Sequence, residues 1–339
     1  MKNNIQLFCC ILFLSILTGC IDNSAESPYP DISFTKKSVM NVTGRASAVG
    51  FAIDKKGYVA LGRSGRYGPA LKDCWEYDPE NDKWTQKADF PGKARVKAVG
   101  VGLNGKGYVG LGYDISGSVY ANKYDLKDFW CFDPSNTTNP WTQKADFPSP
   151  YTDACVCIAY KNEIFIGCGF DGFGFSRYFW KYNPDKDEWI SLNISPGPER
   201  VGGTMCTDGE RIFYGTGYNT YNQNDWWEYF PVSDSWKNLK RMPDTGRENG
   251  LSVSIKDKDS INHYFVTTGR HFAGNLTGGG VKSDILEYDA IRNVWYKRGN
   301  IPNDGGRENA LIFTINGKGY IGFGENDSNI LNDFWSFEP

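Results

Sequence analysis

Histidine is the scarcest chemistry in this chain: His263 and His271 are the only two in 339 residues. So thin a supply does not make an imidazole-rich metal set, and the nine cysteines never fall at C-x-x-C spacing. No metal and no cofactor is therefore expected. Basic charge is also short. Lys and Arg total 37 against 40 acidic residues, a net charge of -3 with no basic cluster, which argues against a nucleic-acid partner. Helix-favouring runs are hard to find. The apolar run at 7–17 is too short to cross a bilayer.

Glycine (39 residues) and aromatic side chains (15% of the chain) are plentiful, a mixture suited to many short strands joined by tight turns. The stretch 72–95, KDCWEYDPENDKWTQKADFPGKAR, returns at 127–149 as KDFWCFDPSNTTNPWTQKADFPS and then in looser copies. A tryptophan follows a D-P, N-P or related turn at Trp84, Trp141, Trp189, Trp236 and Trp295, so the unit is about fifty residues long. The clearest unit predicts an innermost strand at 96–103 and a second at 107–112, joined by the hairpin signal Asn104-Gly105. A third follows at 128–133, DFWCFD, and an outer one at 141–145. Four antiparallel strands in that order make one propeller blade.

Units begin at Arg45, Arg95, Tyr151, Arg200, Arg247 and Arg307, and the last, 307–339, lacks a fourth strand. The segment 32–37, ISFTKK, looks like that missing strand with Phe34 in the tryptophan place. The expectation is an all-β, six-bladed propeller over 32–339, its last blade closed by the N-terminal strand, which leaves no open sheet edge. These units resemble kelch repeats, and the whole resembles a six-bladed kelch propeller of the galactose-oxidase-like kind. The kelch glycine pair is degraded here to Leu61-Gly62, Leu111-Gly112, Cys168-Gly169, Thr216-Gly217, Thr268-Gly269 and Phe323-Gly324, the second glycine surviving each time.

Residues 1–19 read as a signal peptide, and Leu17-Thr18-Gly19-Cys20 resembles the lipobox of bacterial lipoproteins. That resemblance implies a lipidated Cys20, a tether over 20–31 and export to the outer membrane of a Gram-negative bacterium, on its periplasmic or its surface side. The alternative is an ordinary secretory signal. If Lys161-Asn162 is a two-residue turn, Cys155 lies opposite Cys168, as a disulfide or as two buried thiols.

The loops between second and third strands vary while the scaffold repeats, so the face that carries them is read as the binding face. Ligand candidates there are Tyr113, Asp114, Phe170, Asp171, Tyr218, Arg270, His271 and Glu325, joined by Lys97, Asp153, Asn249 and Asn309 from the blade openings. The recurring opening arginines are assigned a blade-to-blade structural role. Glu248 and Glu308 alternate to the other face and pair with adjacent arginines. The leading function is a non-catalytic, membrane-anchored binding protein for a glycan or protein partner. The alternative is an enzyme: some exported kelch propellers are mutarotases acting on sialic acid, which needs a carboxylate and an arginine converging at the channel mouth. Galactose oxidase holds copper with tyrosines and histidines, a pattern this chain does not meet.

Overall fold

The computed structural model describes residues 26–116, 124–171, 173–272, 279–303 and 305–339. Six four-stranded antiparallel sheets are arranged around a channel, and among the described residues no helix occurs. Blade 1 runs outward through Val49–Ile53, Lys56–Ala60, Cys74–Asp78 and Lys83–Lys87. The inner strands of blades 2 to 6 are Val99–Leu103, Val156–Tyr160, Thr204–Thr207, Leu251–Lys256 and Leu311–Ile315, each beside the next, with the sixth beside the first.

The N-terminal strand closes blade 6 as expected. Phe34–Lys36 pairs antiparallel with Phe334–Phe337, and Phe34 lies opposite Phe337 as Trp84 lies opposite Tyr77 in blade 1. The tryptophan period has a packing cause. Trp84, Trp189, Trp236 and Trp295 each meet the first aromatic of the preceding blade's third strand (Phe334, Phe129, Phe179 and Trp226) edge-on, at 5.2–5.4 Å between ring centres.

Every blade opening except the third carries a buried arginine. Arg45, Arg95, Arg200, Arg247 and Arg307 form forked pairs with Asp73, Asp128, Asp225, Asp284 and Asp333, and each also donates to the carbonyl of the residue before the surviving glycine. Both partners belong to the arginine's own blade, so the side chain braces one blade rather than joining two. Blade 3 loses the pair together, with Thr152 and Tyr178 in the two places. Trp180 shows the consequence: its ring N–H is buried without an acceptor, whereas Trp75, Trp130, Trp227 and Trp335 donate to the aspartate.

The degraded glycine pair still imposes its backbone. Leu61, Leu111, Cys168, Thr216, Thr268 and Phe323 all keep a left-handed φ of 58–63°. Glycine persists at the second position because a Cβ on Gly62 would stand 2.6 Å from Ala46 O. Cys155 does lie across from Cys168, but the left-handed turn at Cys168 sends its thiol to Tyr214 and Ser195, and no disulfide joins the two. Cys20 and the leader 1–19 lie outside the described residues.

Arg200→Ala leaves the Asp225 carboxylate buried without its cation and is expected to cost about 3–5 kcal/mol in chemical denaturation. Thr152→Ala, with no buried charge to strand, should cost about 1 kcal/mol, and equal losses would contradict the bracing role. Deleting 32–43 removes Ile32 and Phe34 from their blade contacts and should cost at least about 3 kcal/mol, whereas deleting 21–28 leaves the thermal midpoint unchanged.

Candidate functional site at the channel mouth

Each blade opening contains one residue with left-handed backbone: Ser47, Lys97, Ala154, Gly202, Asn249 and Asn309, at φ 50–61°. Their amides form a closed ring. Lys97 N donates to Ser47 O, Ala154 to Lys97, Gly202 to Ala154, Asn249 to Gly202, Asn309 to Asn249, and Ser47 back to Asn309, at 2.8–3.3 Å. The strand therefore does not begin at 96 as expected but at Val99, because the left-handed residue interrupts the extended backbone. Alternation across that position fails, so Lys97, Asn249 and Asn309 line the mouth while the arginine two residues earlier turns into its blade.

The residue before each ring member pairs antiparallel with the first residue of a long loop. These pairs are Ala46–Arg63, Val96–Tyr113, Asp153–Phe170, Val201–Tyr218, Glu248–Arg270 and Glu308–Glu325. Asp153 therefore matches Glu248 and Glu308, not Lys97. Thr152 holds the arginine place, since it accepts the amide of Gly112 just as Arg95 accepts that of Gly62. The unit at Tyr151 is one residue out of the expected register because it lacks the arginine that marks the others.

The mouth has two halves. On blades 5, 6 and 1 a polar lattice joins neighbouring loops: Arg270 Nε donates to Glu308 Oε1 at 2.5 Å and Nη2 to Asp327 Oδ1 at 2.7 Å, and Arg63 pairs with Glu325. Asn249 donates to Glu308 at 3.1 Å and Asn309 to Glu325 at 2.9 Å. On blades 3 to 5 an aromatic run replaces it, Phe170 on Phe175, Phe175 on Tyr218 and Tyr218 on Phe272, at 5.2–6.2 Å between ring centres. Lys97 lies between the halves, its Nζ 3.7 Å from Asp153.

Electrostatics single out two groups. Burial opposes the charge on Lys97, but Asp153, Tyr113, Glu248 and Glu308 outweigh it and raise the ammonium pKa. Glu248 is pushed from 4.5 up to about 7, mainly by burial; Lys97 and Arg270 pull it back and Glu308 adds to the rise. Glu248 and Glu308 are both expected on the opposite face, and they are the mouth residues that alternation hides. Arg63 and Asp327 also belong to the lattice and carry no sequence signal beyond being polar loop residues. Asp114, Asp171 and His271 are turned to local work. Asp114 accepts from Ser116 N and lies 3.9 Å from Lys93, Asp171 accepts from Phe173 N and Gly174 N, and His271 meets Thr245 at 3.0 Å. Below the mouth a cavity of about 390 Å³ follows the channel, lined by small groups such as Gly50, Gly100, Cys157, Ser252 and Thr314.

The propeller thus sets a non-repeating polar and aromatic mouth on a scaffold that repeats from blade to blade, apart from the missing pair of blade 3. The KLHDC2/KLHL20/DRC7 Kelch-repeats domain matches residues 52–262, so the chain belongs to the kelch-repeat propeller family. Mouse Kelch-like protein 35 is 25% identical over 267 residues, 78% of this chain and 41% of that protein. The N-acetylneuraminate epimerase of Pasteurella multocida is 25% identical over 191 residues, 55% of this chain and 44% of that one. The chain thus spans less than half the length of these curated relatives. The solved structure of YjhT superposes with a TM-score of 0.73 over 89% of this chain and 99% of that one at 15% identity, a likeness of fold.

Because the folded-state pKa of Glu248 lies above its unfolded value, its contribution to stability is complete below about pH 4.5 and is lost as pH rises through about 7. Glu248→Gln should therefore melt about 2 °C or more above the parent at pH 8 and converge with it at pH 5. A pH-independent difference would contradict the burial of this carboxyl.

Proposed function

We propose that this chain is an exported, lipid-anchored kelch-propeller binding protein that recognises a glycan or protein partner on the long-loop face, centred on the channel mouth. The observation that carries this reading is the convergence of unlike side chains from all six blades onto equivalent backbone positions: Arg63, Tyr113, Phe170, Tyr218, Arg270 and Glu325. Membership of the kelch family supports a binding role, partners commonly being proteins. Flat exposed rings such as Phe173 and Phe272 suit both a sugar face and a peptide side chain. A glycan array and a cell-envelope pull-down test it. Tyr218→Ala and Arg270→Ala should each weaken the captured ligand at least about tenfold. Unchanged binding in both variants, or no ligand in either screen, would contradict the reading.

One observation favours a second reading, a sugar mutarotase or epimerase acting at the mouth, because a carboxyl titrating at about 7 beside Lys97 and Arg270 suits proton transfer at neutral pH. The similarity to an N-acetylneuraminate epimerase points the same way. Against it, Arg63 and Arg270 are already paired with Glu325, Glu308 and Asp327, so neither waits for an acidic sugar. NMR exchange between N-acetylneuraminate anomers decides between them. Acceleration that disappears in Glu248→Gln supports the enzyme, and an unaltered spontaneous rate supports binding alone.

A further inference from the structure

The chain reaches its first strand from the side opposite the long loops. Tyr29 lines a cleft with Ile261 and Ile291, which belong to the turn between the first two strands of blade 5 and the turn between its last two. The Tyr29 ring lies 5.1 Å from the Arg298 guanidinium and meets His263 edge-on at 5.4 Å. Arg298 Nε donates to Pro30 O at 2.8 Å, and Ile32 N donates to Arg298 O at 2.8 Å. From there the chain rises through Phe34–Lys36 toward the loop face. Docking of Tyr29 and Pro30 thus fixes the lower end of the segment read as a tether to the turn face.

The same region carries apolar side chains that nothing in the propeller covers. Ile291 is 94% exposed, and Val232, at the matching turn of blade 4, is fully exposed. Blades 1 and 3 hold Glu80 and Asp185 at that turn position, as each lies three residues after the tyrosine that closes the turn onto Asp82 or Asp187. The backbone is common to all four turns, since Asp82, Asp187, Asp234 and Asn293 all take a left-handed φ of 46–56°. Glu80, Asp185 and Ile291 also donate to the acidic or amide side chain two residues earlier, where blade 4 has Phe230. Geometry therefore does not ask for an apolar residue. The two apolar turns fall on the blades flanking the docked tether. Eight residues separate Cys20 from Tyr29, so the two are at most about 30 Å apart with the chain fully extended.

We propose that the turn face around blades 4 and 5 is a membrane-contacting surface, seated through Val232, Ile261 and Ile291 on the lipid bilayer that anchors the chain, with the long-loop face directed away from it. This rests on the lipid-anchor reading of Cys20. Exposed aliphatic groups at a bilayer surface add a second contact to the acyl anchor and fix which way the domain faces.

The test uses the full chain, acylated and reconstituted in phosphatidylethanolamine–phosphatidylglycerol vesicles, with the photo-cross-linking residue benzoylphenylalanine replacing either Ile291 or the exposed loop residue Tyr67. Irradiation should give at least about fivefold more phospholipid adduct at 291 than at 67. Equal or greater adduct at 67, or none at either position, would overturn the orientation. The mass of the N-terminal peptide reports on the anchor separately. An acylated Cys20 with adduct confined to 67 removes the orientation alone, and an unacylated Cys20 removes both readings.

Discussion

The structure depends on one closed ring of six backbone hydrogen bonds, each reaching from one blade's opening to the next around the channel mouth. The ring requires left-handed backbone at every blade, yet only Gly202 is a glycine; the others are Ser47, Lys97, Ala154, Asn249 and Asn309. A left-handed L-residue costs roughly 1 kcal/mol, so five such residues persist only because closure over-determines them. A second tier supports the first: Gly62, Gly112, Gly169, Gly217, Gly269 and Gly324 donate to the carbonyls of the next blades' opening residues at 2.7–3.0 Å. The strand Phe34–Lys36 secures both tiers by making the sixth blade complete.

This construction separates scaffold from site within three consecutive residues. Arg247 turns inward and braces strands of its own blade, Glu248 pairs with the long loop, and Asn249 holds the ring and faces the mouth. The first position is nearly invariant around the propeller and the second and third are free to differ. Blade 3 shows how far the scaffold tolerates loss. Thr152 and Tyr178 replace the charged pair as a unit, and Cys168, Ser195 and Tyr214 form the buried contacts nearby. Removing an arginine and an aspartate together strands no charge, so the blade survives what a single loss would not.

Much of this was legible in the residues. The fifty-residue period, the four strands and the latch at Phe34 follow from the turns and the Phe-for-Trp exchange, since each has a local signal. The mouth was legible in part. Tyr113, Phe170, Tyr218, Arg270 and Glu325 stand out because each directly follows the surviving glycine. Glu248 did not, because strand alternation fails wherever one residue turns left-handed, and no side-chain type announces that turn at Lys97 or Ala154. The register error at Tyr151 has the same origin: a missing arginine removes the marker, while the hydrogen bonds of Thr152 keep the geometry. Asp114 and Asp171 show the converse, since an acid near the start of a loop is taken up by the backbone amides that follow it.

The two faces then have different physical characters. The long-loop face concentrates buried charge, a carboxyl poised near neutrality and a run of rings. The turn face repeats closely, apart from the apolar turns beside the docked tether. Both characters presuppose that the ring holds the blades in place. Native-state hydrogen exchange tests this most directly, at the amides of Ser47, Lys97, Ala154, Gly202, Asn249 and Asn309. Although they line an open channel mouth, all six are predicted to exchange together and only through global unfolding. Rapid exchange at rates that differ from blade to blade would show that the ring does not hold the propeller closed.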